Sequence, residues 1–372
     1  MQEDIALKKL LVFIEIIAIA GIVLSWHACS DDPPSKPAIG DGTLAVGTPA
    51  EQNIDESKLD AAYQQARQTD GLRSLLVARN GVLVAEQYFS GFNQNRLNHV
   101  RSVTKSVMAT LIGIALREGF ILSTNQTIAE FLQPVTEVDL TDQKSQITIE
   151  HLLTMTSGFE WHETGGNEYG NWITSSNQID YVLSKPLVST PGQSFVYNSA
   201  TSHLLSVILT RASGMTTKEF ADKYLFEPLG IYNVNWERVS GGFYNGGAGL
   251  ELVSRDMIKF GLLYLQNGQH AGQQLVPMDW LQRVWTQQRT LGFSFSAMQS
   301  VHYGFLWWMD KGGPHDAYLA WGYGGQFIYV VPDLQLIVTT TSRWQLSGAD
   351  ATGQERANLD LIINNVVAAV RE

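Results

Sequence analysis

The chain has 372 residues, 44% of them hydrophobic, and a formal net charge of −11. That apolar share over that length supports one large core or two lobes sharing a cleft, and it excludes a mainly disordered chain. With no block of Lys and Arg, the acidic balance also excludes nucleic acid as a partner, because phosphates need a cationic footprint.

Lys8 and Lys9 precede "LLVFIEIIAIAGIVLSW", an apolar segment of signal-peptide or single-span length broken only by Glu15, so residues 1–29 read as an export segment. The sole cysteine, Cys29, closes "SWHAC", which resembles the lipobox at which bacterial lipoproteins are cut and acylated. Trp26 departs from that pattern, where a small aliphatic residue is usual. A lipidated Cys29, an uncleaved anchor and an ordinary signal peptide therefore stay open. Each puts the body outside the cytoplasm, at the periplasm or cell surface, and the first two make the membrane a partner through the N-terminus. One cysteine excludes an internal disulfide and a thiolate metal site.

Residues 30–56 are rich in Pro, Gly and acidic residues without periodicity and read as a flexible linker, leaving 57–372 as the folded body. "KLDAAYQQARQTD" predicts a short helix. Two β-rich runs then flank Asn80-Gly81, a strong hairpin signal. From Arg101 to about residue 300, helical spacing dominates in "ITIEHLLTMTSG", "SATSHLLSVILTRASG", "TTKEFADKYLFEPLG" and "VSRDMIKFGLLYLQNG", which predicts a mostly helical lobe within 120–300. Strand-like runs return in "YGFLWWM", "AYLAWGYG", "QFIYVVP" and "LQLIVTTTS", before a closing helix, "RANLDLIINNVVAAVRE". The expected fold class is α+β, with an antiparallel sheet built from N- and C-terminal strands, faced by helices and joined to the helical lobe.

Within "VRSVTKSVMATLIGIALREG", Lys105 is the only charge between Arg101 and Arg117, in a run with no broad polar face. A buried ammonium is costly without partners. Ser102 lies three residues earlier, on the same face of a helix and near its N-terminus, where the dipole favours developing negative charge. A lysine whose pKa is lowered by burial and nearby cations can take a serine proton. Ser-x-x-Lys alone is a weak signal, and the bland alternative is a lysine snorkelling from a core helix to solvent.

In order, "SVTK" at 102–105, "ITIEHLLTMTSG" at 147–158, "PGQSFVYNSATSHLLSVI" at 191–208 and "YGFLWW" at 303–308 resemble the serine β-lactamase and penicillin-binding protein superfamily. The nearest likeness is to the class C branch, with its β-lactamases, D-alanyl-D-alanine carboxypeptidases, β-lactamase-fold esterases and 6-aminohexanoate-oligomer hydrolases. The resemblance implies a β-lactamase/transpeptidase-like fold and makes Ser102 the acylated nucleophile and Lys105 its general base. Tyr197 would assist as phenolate or shared proton, its pKa lowered by cations such as Lys105. Ser199 holds the third position of "YNS" and would bond Lys105 or substrate.

The resemblance departs at the third motif, where β-lactamases carry Lys-Thr-Gly. One register places Ala320-Trp321-Gly322 there, with the Tyr323 amide as second oxyanion donor beside that of Ser102. The other uses Tyr323-Gly324-Gly325, with Gln326 as donor. Neither supplies a lysine, which argues against efficient β-lactam turnover and for an ester or neutral amide. Trp161, Trp172, Trp307, Trp308 and Trp321 are candidates for an aromatic cleft, Trp321 foremost.

No histidine cluster has zinc-ligand spacing, and no G-x-S-x-G elbow, P-loop or dinucleotide fingerprint occurs. His151 reads as structural. The reading is an exported serine hydrolase acting on a small ester, amide or peptide, with no metal or organic cofactor implied. A cell-wall D-amino-acid peptidase and a non-catalytic binding domain are the alternatives.

Overall fold

The computed structural model describes residues 44–371 apart from 141, 164, 165, 287 and 288. The export segment, Cys29 and most of the expected linker lie outside the described residues. Among those described, no helix is long and apolar enough to cross a membrane.

Residues 44–56 do not behave as the expected linker. Leu44 and Ile54 are buried, and strand β1 (Ala45–Val46) adds to the edge of the main sheet. Asp55 accepts the Lys58 amide as N-cap of α1 (Glu56–Gln68), which stabilises the first turn. The packed body therefore begins by Leu44. The polar composition hid apolar anchors spaced ten residues apart.

Strands β2 (Leu72–Arg79) and β3 (Val82–Tyr88) form the expected hairpin. Asn80 (φ 52°) and Gly81 (φ 80°) supply the two positive φ values of its two-residue turn. Helix α2 (Val103–Arg117) follows, then a lobe of short helices packed around α3 (Ser199–Ser213), and next α4 (Ser254–Leu265). The late strands are β4 (Arg289–Thr290), β5 (Ser300–Gly304), β6 (Trp307–Lys311), β7 (Ala317–Gly322), β8 (Gln326–Val331) and β9 (Leu336–Ser342). Helix α5 (Gly348–Asp360), capped by Ser347, and two further helical turns close the chain.

The nine strands form one sheet in the order β1-β3-β2-β9-β8-β7-β6-β5-β4. It is antiparallel as expected, except that β1 pairs parallel with β3. The N-terminal hairpin and the C-terminal meander join where β2 meets β9. β8 and β9 are buried along their whole length, so helices cover both faces. Gly261 of α4 sits against Ile328 and Ile337, and α1 packs on β2 and the C-terminal turns.

Two elements differ from the sequence reading. "YGFLWWM" is not one strand, because the chain reverses at Phe305 (φ 46°) and Leu306 (φ 63°). Both side chains are buried. Leu306 N donates to Leu153 O at 2.9 Å, and Leu306 O accepts from Ser106 Oγ at 2.9 Å, so tertiary bonds hold a turn that local propensity disfavours. The closing helix starts at Gly348, eight residues before the periodic run, and those extra residues reach the site.

Candidate active site

Backbone geometry sets Ser102 apart before any side chain does. Arg101 has φ 53°, a left-handed conformation costing about 1 kcal/mol for a non-glycine residue. It is held because Arg101 N donates to His99 Nδ1 at 3.1 Å, while Arg101 O accepts from Thr104 N at 3.0 Å and Thr104 Oγ1 at 2.6 Å. His99 can accept because burial, and then the Arg101 charge, lowers its pKa to about 3. The kink leaves Ser102 as N-cap of α2, with Lys105 one turn on.

Lys105 is 1% exposed. Its Nζ stands 2.8 Å from Ser102 Oγ, 2.8 Å from Ser199 Oγ and 2.6 Å from Gly247 O. Burial is the main cause that lowers its pKa to about 7; Arg101 acts in the same direction, and the Glu163 carboxylate opposes both. The amine is thus poised between its two forms near neutral pH.

Proton directions follow from the partners. Gly247 O can only accept. Ser199 Oγ gives its hydrogen to a Glu163 carboxylate oxygen, so toward Lys105 it too accepts. A neutral Lys105 then spends both N–H groups on these acceptors, and its lone pair points at the Ser102 hydroxyl. Glu163 is itself fixed, taking Ser199 N at 2.7 Å and Trp161 Nε1 at 2.9 Å at the start of α3, where the helix dipole favours an anion. The sequence reading missed Glu163 and Gly247. For Gly247 a signal existed in the "NGGAG" run: a Cβ on Gly246 or Gly247 would come within 2.6 Å of Ser202 O or 2.5 Å of Ser199 O, so glycine is needed for close approach to α3.

Tyr197 lies beside this network, its ring centroid 4.9 Å from Lys105 Nζ and its side chain hydrogen-bonded with Ser102. The expectation of a phenolate favoured by Lys105 is not met. Burial, and then the Glu163 carboxylate, push its pKa well above the usual phenol range. Lys105 does not offset them, and Tyr197 remains a phenol.

The sheet side is formed by the end of β7. A Cβ on Gly322 would fall 2.2 Å from Val100 O, so β7 passes against the backbone leading to Ser102. Gly324 and Gly325 instead face residues 343–344 and α5, while the Gln326 side chain is buried, bonding Tyr323 O and both backbone groups of Ser342. The half-buried Trp321 packs 5.1 Å from Trp308, whose ring lies 5.8 Å from that of Tyr197. Trp172 and Trp307 are fully buried core residues, with their indole N–H groups on Gln178 O and Tyr264 Oη. His151 is a capping residue, taking the Thr148 amide at 3.2 Å.

An open recess of about 510 Å³ lies beside the segment that precedes Ser102, with His99, Arg101, Tyr169, Trp236, Glu237 and Trp344 among its walls. The Arg101 guanidinium lies 4.6 Å over Trp344. Neither Trp236 nor Trp344 was singled out in the sequence, since nothing local distinguishes them from core tryptophans.

A family model described as Beta-lactamase matches residues 58–361. The 6-aminohexanoate-dimer hydrolase of Paenarthrobacter ureafaciens is 24% identical over 331 residues, 84% of this chain and 79% of that protein. Among solved structures, the octameric penicillin-binding protein homologue from Pyrococcus abyssi has TM-score 0.62 at 17% identity, covering 83% of this chain and 77% of that one. The D-amino acid amidase from Ochrobactrum anthropi SV3 has TM-score 0.61 at 14% identity, covering 83% and 99%. At such identities the structural likeness establishes the fold, which is the one the motifs led to.

Proposed function

Because the chain belongs to the Beta-lactamase family, a family of serine hydrolases acting on amides and esters, we propose that it cleaves such a bond through an acyl-enzyme on Ser102. The observation that carries this is a buried lysine amine 2.8 Å from a serine hydroxyl, its pKa lowered to about 7 and its other hydrogen bonds already committed. In this reading the Lys105 lone pair takes the Ser102 proton as Oγ attacks the carbonyl carbon. The amides of Ser102 and Tyr323 hold the oxyanion; the approach of Gly322 to Val100 supports this register. As the tetrahedral intermediate collapses, Tyr197 passes its proton to the leaving group and is resupplied from Lys105. Water then attacks the acyl carbon, its proton goes to the same base, and Ser102 leaves with a proton regained.

Ala320 stands where β-lactamases carry the lysine of Lys-Thr-Gly, so β7 offers no cation to a β-lactam carboxylate. The name of the Paenarthrobacter relative favours an amide as the natural substrate. The test is p-nitrophenyl butyrate hydrolysis by the full chain, wild type against a folded Ser102→Ala variant. Loss of turnover in the variant supports the nucleophile, and equal turnover overturns it. D-Alanine release from a synthetic cell-wall pentapeptide far faster than ester cleavage would move the reading to a peptidase.

We also propose that residues 1–29 export the chain, with Cys29 as lipid anchor, a reading that rests on sequence alone. Cys29→Ser should leave the detergent-extracted membrane fraction of a bacterial host; unchanged partitioning argues against the lipid.

A further inference from the structure

Glu355 is a buried ionisable group that the proposed chemistry does not use. It lies on α5 at 1% exposure, directly behind the turn joining β7 to β8. Its Oε1 accepts Gly324 N at 2.7 Å, and the Trp321 indole lies near the same carboxyl. The adjacent Gln354 donates to Gly324 O and to Arg343 O. One turn on, Asn358 donates to Gly325 O at 3.1 Å and Ser342 Oγ at 2.8 Å. Gly324 (φ 76°) and Gly325 (φ 89°) allow this, because a Cβ on Gly325 would fall 2.3 Å from Asn358 Nδ2 and one on Gly324 would fall 3.0 Å from Arg343 O. Three side chains of one helix thus grip consecutive peptide groups of a turn that starts at Gly322.

We propose that Glu355 is a positioning residue, which with Gln354 and Asn358 fixes the 322–325 turn so that the Tyr323 amide stays aimed at the oxyanion above Ser102. The proposal rests on the acyl-enzyme reading and on Tyr323 as the second donor. Preorganised donors work only when held where charge will develop, and a two-glycine turn has little stiffness of its own. A carboxyl suits the task because its acceptor oxygen takes the Gly324 N–H. Burial pushes its pKa up to about 8, despite the opposing Gly324 hydrogen bond, the nearby Trp321 indole and the Arg356 charge. At pH 7 it is therefore mainly the neutral acid, for which glutamine is the isostere.

The experiment compares wild type, Glu355→Gln and Glu355→Leu on p-nitrophenyl butyrate at pH 7, with thermal melts to verify folding. Losing a donor outright costs about 10²–10³ in kcat, so a displaced one should cost less. Glu355→Leu should lower kcat about 30-fold with KM nearly unchanged, and Glu355→Gln should restore it to within about threefold of wild type. If Glu355→Leu does not fold, Gln354→Ala and Asn358→Ala replace it, each with an expected kcat loss of about fivefold at constant KM. Wild-type kcat in folded Glu355→Leu overturns the proposal, as does a glutamine variant no better than leucine. Turnover that survives Ser102→Ala would instead overturn the acyl-enzyme reading, so the two failures are distinguishable.

Discussion

Around Lys105 the partners come from the helical lobe: Ser199 from the head of α3, Glu163 behind it and the carbonyl of Gly247. Across the cleft, the turn after β7 is gripped from behind by side chains of α5. In the proposed reaction the first region moves a proton, so its groups must have settled donor and acceptor directions yet allow the amine two charge states. The second moves nothing and must only hold dipoles still. In each region burial drives one charged side chain toward neutrality: Lys105 down to about 7 and Glu355 up to about 8.

The largest effects should come from breaking the proton-moving side. Lys105→Met should reduce kcat/KM about 10³–10⁴-fold, the upper range for loss of a general base. In wild type, kcat/KM should rise with pH through about 7, because only the neutral amine accepts the serine proton; this limb should be absent from the residual activity of the variant. Tyr197→Phe should cost about 10²-fold. Since its phenol is held above the ordinary range, wild type should show no loss of activity from tyrosine ionisation below pH ~10.

Glu163→Gln gives a smaller and more informative change. The carboxylate raises the Lys105 pKa, so neutralising it should move the acidic limb of kcat/KM to lower pH. It also fixes the Ser199 hydroxyl, and an amide cannot accept at both oxygen positions, so maximal kcat should fall about tenfold. A loss of kcat with an unmoved limb would mean that Glu163 acts only through Ser199.

These two regions were unequally legible in the sequence. Ser102, Lys105, Tyr197 and Ser199 stand in short motifs, and the structure brings all four together. The hairpin at Asn80-Gly81 was equally readable, because its turn chemistry is local. Glu163 was not, since its role depends on meeting the start of a helix thirty-six residues later. The holding side was the less visible. Gly348 to Glu355 shows weak amphipathic spacing because Gln354 and Glu355 are buried through polar contacts with a turn. Hydrophobic periodicity cannot register a helix face whose partner is a peptide backbone.

The smallest predicted effect compares the two buried groups by stability. For Glu355 the unfolded carboxyl ionises near pH 4.5, whereas the folded one keeps its proton to about 8. Between those values the unfolded state binds fewer protons, so wild-type stability from this group falls as pH rises and is constant above. Glu355→Gln does not titrate, so its melting temperature relative to wild type should rise by about 2–6 °C from pH 5 to pH 9. Lys105 has the opposite slope. Its folded pKa is about 7 against 10.5 unfolded, so the cost of burying the ammonium is full below pH 7 and fades as pH rises to 10.5. The stability gained by Lys105→Met should therefore be largest at pH 6 and shrink toward pH 10. Melting curves of the two variants across pH 5–10 should cross. Parallel curves would mean that neither group is held neutral by its surroundings, and with that the proton-moving role of Lys105 would lose its physical basis.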